Sequence, residues 1–314
     1  MLQKGPLSTF HVFDLGHEQY FFHCVHHLAS DYLSYKVFAE DLTRLLLDQQ
    51  VEPPTVSCQA WAEYLHQTAQ DLDLDALTVP SPLPDLAVRL RGEVTMPEST
   101  PGGRNPECLV CLDISSSTLT SAANLFGATP IELLVTALPV AYQEVFHFNV
   151  MGLAFTTHDR QPIGDTAFDL SRTLGFFAHY VPVVLAVPRA AGFRTTRRHT
   201  QGTLGTGIED GVKLTLVRYL RDFTDPTQRR PYEIDPLFGF SYLAPTEASA
   251  PSDGNQPLLL EQPDAMTDLR ARRADTSPRP CELAVTHEGD RLDLLVIGQR
   301  NQGIPLMAQH LLSV

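Results

Sequence analysis

The residues of this chain best suited to chemistry lie near its start, in Phe21-Phe22-His23-Cys24-Val25-His26-His27-Leu28-Ala29-Ser30-Asp31. Two adjacent histidines follow an apolar, strand-like run, and a carboxylate stands four residues beyond the second. Tyr35, Phe38, Leu42 and Leu45 then recur at helical spacing, so a helix begins near Ser30 or Asp31. A strand that delivers His-His-x-x-x-Asp into a strand-to-helix turn places one imidazole at an exposed edge. That suits a single general base, with the carboxylate holding the turn rigid. A metal reading also exists, because His23, His27 and Asp31 are each four residues apart, and zinc sites favour that spacing on one helix. His23, however, lies in residues 20–25, which read as strand, so one helical face cannot carry all three. With 12 histidines in the chain, an adjacent pair also arises by chance on a surface or in a satisfied core.

The elements that must position this turn belong to a chain of 314 residues, long enough for two lobes with separate cores. Apolar residues at 43% and charged residues at 19% describe a globular protein rather than a disordered one. The formal charge of −14 disfavours nucleic acid or an anionic membrane as a partner, since both require a basic footprint. Five cysteines, an odd number, and no apolar signal segment in residues 1–10 point to reduced thiols and a cytoplasmic location. Cys108-Leu-Val-Cys111 is formally CxxC, but strand alternation sends its two sulfurs to opposite faces, so it reads as structural. No apolar run reaches transmembrane length.

Taken in order, residues 7–13 and 18–25 read as two strands joined by a turn at Asp14-Leu-Gly16-His. A helix over 31–49 follows the histidine turn, and Ser57 caps a second helix to about residue 70, with Trp61 and Leu65 on one face. Prolines at 80, 82, 84, 97, 101 and 106 mark residues 71–106 as a connection holding at most a short strand. The boundary expected is therefore 1–105 for a first lobe with its linker and 106–314 for a second. In the second, a strand over 107–113 leads to a helix over 115–126 stopped by Gly127. Thr129-Pro130 opens another helix over 131–146 with Leu134, Leu138, Ala141 and Val145 on its core stripe. Strands are expected over 150–156, 180–187 and 237–243, and a helix end or strand over 213–220. Residues 244–280 read as a loop, 281–297 as a hairpin and 304–312 as a last helix. The mixture predicts a layered α+β architecture.

His26-His27-Leu-Ala-Ser-Asp31 resembles the HHxxxD(G) motif of the condensation-domain superfamily of nonribosomal peptide synthetases, built on chloramphenicol-acetyltransferase-like lobes. Residues 57–65, with Trp61, resemble the tryptophan-bearing helix that comes next in such domains. Asp169-Leu-Ser-Arg-Thr-Leu-Gly-Phe-Phe177 through Pro182 resembles the "DLSRTVGWFT…P" segment of the epimerization subtype. Leu216-Val-Arg-Tyr-Leu220 is similar to its "LLRYL" stretch, and Phe240-Ser-Tyr-Leu243 to its "FNYLG" strand. The motifs fall in family order from residue 7 to the C-terminus. The resemblance implies a chloramphenicol-acetyltransferase-like two-lobe fold with a truncated first lobe, and a tunnel entered by carrier-protein phosphopantetheine arms. It implies His27 as the base at the lobe interface, with His26 beside it, removing the α-proton of a thioester-tethered residue. Asp31 would then be structural, with Arg160 as its partner. No cofactor or metal is implied beyond the phosphopantetheine arm of a peptidyl carrier protein.

The departures from the family bear on the chemistry. The family's opening strands and helices have no counterpart, so the first lobe is expected to be a minimal remnant, or to be completed by another chain or a homodimer mate. The loop that reads "EGHGRE" in epimerization domains is Thr156-Thr-His158-Asp-Arg160-Gln, so the catalytic Glu position is Thr156. Losing one of two acid/base groups typically costs about 10²–10⁴-fold, unless His158 or Asp159 substitutes. The Gly after the motif Asp is Tyr32, "GYG" is Lys213-Leu-Thr215, and the family's Asn is Ser241. A bulky Tyr32 would narrow the tunnel. Substrate contacts are expected from Tyr32, Thr156, Arg160, Phe177, His179 and Ser241. His158 and His179 are candidates for an imidazole pair, though a solvated loop His and an outward strand His are the plainer accounts. Arg194-Thr-Thr-Arg-Arg198 is either a contact for a phosphopantetheine phosphate or acidic carrier protein, or a solvated helix face. Two functions remain open: an epimerase- or condensation-like enzyme acting on a tethered residue, or one repurposed for isomerization or cyclization of a small-molecule pathway intermediate, and a catalytically silent domain that docks carrier proteins or completes another synthetase chain.

Overall fold

The computed structural model describes residues 5–77, 107–157, 160, 163, 168–188, 192–233, 236, 238–242, 281–288, 291–299 and 303–311. The short strand expected before residue 106, the loop expected over 244–280, and His158 and Asp159 lie outside the described residues. The described residues group into two compact units, and the division does not fall at residue 105. The first unit draws on Met1–Leu65 and His158–His179, the second on His66–Thr157, Tyr180–Thr246 and Glu261–Val314. The segment leading to His179 joins the N-terminal unit because its backbone and Arg160 are hydrogen-bonded to the start of the first helix.

In the first unit β1 (Ser8–Asp14) and β2 (Gln19–Val25) form an antiparallel hairpin, with Ser8 opposite Val25 and Asp14 opposite Gln19. Gly16 takes φ 84° in the turn and donates its N–H to Asp14 Oδ1 at 2.8 Å, a left-handed conformation that favours glycine. The helix α1 (Tyr32–Leu46) starts at Asp31, whose side chain accepts from Ser34 N at 2.7 Å as the N-cap. The helix α2 (Cys58–Asp71) is capped by Ser57 Oγ, which accepts from Ala60 N at 3.1 Å. Its Trp61 is buried with Leu170 and Phe177, and Val56, Tyr64, Leu65, Ile163 and Phe168 pack around them.

The second unit is a six-stranded mixed sheet with helices. Its strands are β3 (Glu107–Ser115), β4 (Val150–Thr157), β5 (His179–Ala186), β6 (Phe238–Tyr242), β7 (Cys281–Glu288) and β8 (Arg291–Gln299), in the order β3-β8-β7-β6-β4-β5. The β4–β6 and β6–β7 pairs are parallel, while β3–β8 and β7–β8 are antiparallel. Met151 through Phe155 are buried in unbroken succession, as a strand covered on both faces requires. The helices are α3 (Ser116–Phe126), α4 (Pro130–Phe146), α5 (Phe193–Leu220) and α6 (Gly303–Leu311). Gly127 ends α3 in the left-handed region, as its position in the sequence predicts.

The helix α4 opens with a full capping box. Thr129 Oγ1 accepts from Glu132 N at 3.2 Å, and Glu132 Oε2 accepts from Thr129 N at 2.7 Å. Thr129→Ala is expected to lower stability by about 1 kcal/mol, read from the urea midpoint at unchanged slope. A loss below a few tenths would mean that burial of Leu133 through Pro139 alone sets the helix start.

One expectation needed extension. The stretch over 213–220 is the end of a 28-residue helix, α5, and not a strand. Near its last third a Cβ on Gly211 would fall 2.1 Å from Val181 Cγ1 and 3.1 Å from the Pro182 carbonyl oxygen. The helix therefore crosses β5 at a distance that only glycine allows. No single helix among the described residues is long and apolar enough to cross a membrane.

Candidate active site

The His-His-x-x-x-Asp turn joins β2 to α1 as its spacing predicts. Asp31, 1% exposed, is its anchor. The Asp31 backbone N–H donates to the Gly175 carbonyl at 3.0 Å, Phe177 N–H donates to Asp31 Oδ2 at 3.1 Å, and Arg160 Nη2 donates to Asp31 Oδ1 at 3.1 Å. Burial pulls the Asp31 pKa upward, but hydrogen bonds from Ser34 and Phe177 and the Arg160 charge outweigh it. The carboxyl is held below the usual 3.8 and stays ionised.

Arg160 spans the junction. Its Nη1 donates to the Leu170 and Thr173 carbonyls at 2.8 and 2.6 Å, its Nη2 also reaches Ser34 Oγ at 2.9 Å, and its guanidinium lies 4.7 Å from the Phe177 ring centroid. The expected Asp31–Arg160 pair is present, with the arginine side chain 9% exposed. Its guanidinium is engaged in this way by Asp31, Ser34 and the 170–173 carbonyls, an architectural role. Phe177, expected to contact substrate, is 7% exposed in the Trp61 cluster. Sequence reasoning missed Ser34, 1% exposed. Its hydroxyl donates to the Gly175 carbonyl at 2.8 Å and accepts from Gly175 N at 3.0 Å. The signal available was its place three residues after the N-cap, where a polar side chain faces back toward the turn.

With the turn fixed, His27 is exposed and its tautomer is set by geometry. Nδ1 lies 2.7 Å from the Ser30 carbonyl oxygen, which can only accept, so Nδ1 is the donor and in the neutral ring Nε2 presents the lone pair. The edge-on ring of Phe176 stands 5.0 Å away. Of the Phe176-Phe177 pair it is the first, half-exposed residue that neighbours the imidazole, while the second is core. His26 plays a different part: its Nδ1 accepts the Leu28 N–H at 3.1 Å and so stabilises the turn. Tyr32 is the first residue of α1, with Lys36 Nζ 5.7 Å from its ring centroid. His179 is partly buried, and its Nδ1 donates to the Phe177 carbonyl at 3.3 Å.

His23 does not share this site. Its ring stacks on Phe10 at 4.4 Å and lies 4.6 Å from Phe38, Nε2 meets Ser8 Oγ at 2.8 Å, and Nδ1 is buried with no partner among the described residues. His23, His27 and Asp31 therefore serve three separate purposes. Among the described residues no three His, Cys, Asp or Glu side chains group as metal ligands. Burial lowers the His23 pKa from its ordinary 6.5, so the folded chain binds fewer protons than the unfolded one. The stability His23 contributes is complete above about 6.5 and is lost as pH falls through the folded value. The protection factors of the β1 and β2 amides, corrected for the intrinsic pH dependence of exchange, are expected to fall as pH drops below about 6.5 in the wild type and to change less in His23→Phe. Equal acid sensitivity in both would remove His23 as the cause.

In the second unit, Thr156 and Ser241, both expected to contact substrate, are brought together on β4 and β6. Their hydroxyl oxygens are 2.8 Å apart. The position the family gives to a glutamate thus carries a hydroxyl engaged with a neighbouring hydroxyl. At the start of α5, Arg197 Nη1 donates to the Gly127 carbonyl at 3.1 Å, the Arg194 guanidinium lies 5.1 Å from the Phe126 ring centroid, and Arg198 is exposed.

No family model matches the chain. Curated relatives do. Nonribosomal peptide synthetase 8 of Aspergillus fumigatus is 26% identical over 222 residues, 69% of this chain and 3% of that protein. Chondramide synthase cmdD of Chondromyces crocatus is 30% identical over 231 residues, 67% of this chain and 6% of that protein. The chain thus spans a small fraction of the length of these relatives. Among solved structures, the epimerization domain from the third module of tyrocidine synthetase B superimposes with a TM-score of 0.67 at 19% identity, over 98% of this chain and 70% of that one. The chain belongs to the condensation-domain superfamily of nonribosomal peptide synthetases, with its chloramphenicol-acetyltransferase-like α+β fold.

Proposed function

We propose that this chain is an acid–base enzyme of peptide natural-product biosynthesis that moves the α-proton of an aminoacyl or peptidyl thioester, with His27 as the general base. One observation supports the reading: the Ser30 carbonyl accepts from Nδ1 of His27, so that in the neutral ring Nε2 is the nitrogen left to accept a proton, on an exposed residue. Nε2 takes the α-proton, and the electron pair passes into the thioester carbonyl as an enolate. Return of a proton to the opposite face inverts the centre, and return to the same face restores it. The substrate arm is the phosphopantetheine of a peptidyl carrier protein, and the setting is cytoplasmic.

The Thr156–Ser241 hydroxyl pair favours a second reading, because neither group is a competent acid or base at the family's glutamate position. In that reading the chain is a catalytically silent domain that docks carrier proteins, or its base serves isomerization or cyclization of a free small-molecule intermediate. The test is incubation in D₂O with a carrier-tethered dipeptidyl thioester, followed by mass and chirality of the released product. Deuterium gain with inversion supports the epimerase, gain without inversion a one-base site, and no gain the second reading, a silent domain or an enzyme of a free small-molecule intermediate.

A further inference from the structure

We infer that Glu282, on β7, is the second acid–base group of the proposed proton transfer, in place of the glutamate whose position Thr156 holds. The inference rests on the reading of the chain as an enzyme that moves an α-proton. Register places the residue. In the parallel ladders Ala154 is opposite Gly239, Gly239 is opposite Glu282, and Ser241 is opposite Ala284. Thr156 and Ser241 lie two positions beyond Ala154 and Gly239 on their strands, so both hydroxyls and the Glu282 side chain rise from one face of the sheet.

Burial separates the two faces. Phe155, Phe240, Cys281, Leu283 and Val285, on the opposite face, are each 7% exposed or less. Thr156, Ser241, Glu282 and Ala284 are each partly exposed, and only the small Ala154 and Gly239 of this face are buried. Glutamate is disfavoured in strands, and a carboxylate is costly to keep on an interior one. β7 is interior, between β8 and β6.

The carboxyl leans from β7 across β6. A Cβ on Gly239 would fall 2.5 Å from Glu282 Cδ and 2.9 Å from Oε1, with Oε2 nearer still, so the carboxyl fills the space over Gly239. From there to the level of the Thr156–Ser241 hydroxyls is two residues of strand, roughly 7 Å. An aminoacyl thioester spans that gap. Its carbonyl oxygen meets the O–H that the hydroxyl pair does not use between its members, and its α-carbon comes within reach of the carboxyl. In one direction His27 Nε2 takes the α-proton, and the C–H electron pair enters the thioester carbonyl. The acid form of Glu282 then gives its proton to the α-carbon, the enolate pair forms the new C–H bond, and a carboxylate remains. Solvent returns the proton from His27 to Glu282, and the reverse turnover uses the carboxylate as base on the other stereoisomer.

The experiment is deuterium uptake from D₂O by carrier-tethered aminoacyl thioesters of each configuration, with chirality read after release. The wild-type chain is expected to exchange both isomers and to invert them. Glu282→Gln should lose inversion, and exchange of one isomer should fall by about 10²-fold or more, while the other isomer still exchanges. His27→Ala should show the opposite preference. A merely structural role would lower both isomers alike. Should Glu282→Gln misfold, Gly239→Ala, which keeps the acid and displaces it, is read by the same criterion. No deuterium gain from either isomer in the wild type would sink the proton-transfer reading and this inference with it. Exchange without inversion in the wild type, inversion that persists in the variant, or an equal loss for both isomers would overturn the role of Glu282 alone.

Discussion

Replacing Arg160 by Met while Asp31 remains should destabilise the first unit by about 3–5 kcal/mol. The reason is the environment left behind. Asp31 is 1% exposed, and its ionised form is favoured partly by the arginine charge. Without that charge a carboxylate stays buried with the hydrogen bonds of Ser34 and Phe177 to hold it. The Leu170 and Thr173 carbonyls lose their donors at the same time. Removing both partners is a smaller insult, so Asp31→Asn with Arg160→Met should cost less than the sum of the single changes. Trp61 is the only tryptophan and lies in the cluster that Phe177 belongs to, so its fluorescence in urea reports this unit selectively. The sign with pH follows from the depressed Asp31 pKa. Its contribution is present above about 3.8 and lost as pH falls through the folded value; in Arg160→Met that loss should begin at higher pH. A single-variant cost below about 1 kcal/mol would place this pair with weak surface bridges and make Ser34 the residue that holds the turn.

This junction also shows where a sequence is legible. The turn, its Asp N-cap and the helix behind it were readable because each rests on local chemistry: strand alternation, a capping side chain, helical spacing of Tyr35, Phe38 and Leu42. The Asp31–Arg160 pair was readable only through family resemblance, since 129 residues separate the two. Proline density in 78–106 marks a break in the chain, but the N-terminal unit is defined by long-range bonds from Arg160 and residues 170–177 that no composition shift records. The helix α5 was half hidden because Gly202, Gly205, Gly207 and Gly211 lower its propensity. At Gly211 the glycine serves packing against β5. For the site, residue type ran ahead of side-chain direction. Phe177 was chosen and Phe176 stands beside the imidazole, because in Leu-Gly-Phe-Phe nothing in the sequence says which ring the Trp61 cluster will take.

His27→Ala should leave the fold intact and reduce α-proton exchange by about 10²–10⁴-fold. The fold should survive because the imidazole is exposed and its one hydrogen bond closes a local loop to Ser30, whereas the strong bonds of the turn belong to Asp31, Ser34 and Arg160. The rate should fall because neither neighbouring histidine among the described residues is placed to replace Nε2. His26 spends its Nδ1 on Leu28 N, and His23 is stacked in the hairpin. His26→Ala is then the informative control. It removes a turn acceptor, so it should lower stability modestly and the exchange rate far less than His27→Ala does. Deuterium uptake by a tethered aminoacyl thioester, measured with the Trp61 unfolding curve of each variant, separates the two effects. Equal losses in both variants, each matched by lost stability, would show that the histidines act only through the turn. A His27→Ala protein that keeps its exchange rate would remove His27 as the base and assign the proton transfer to another group of the chain.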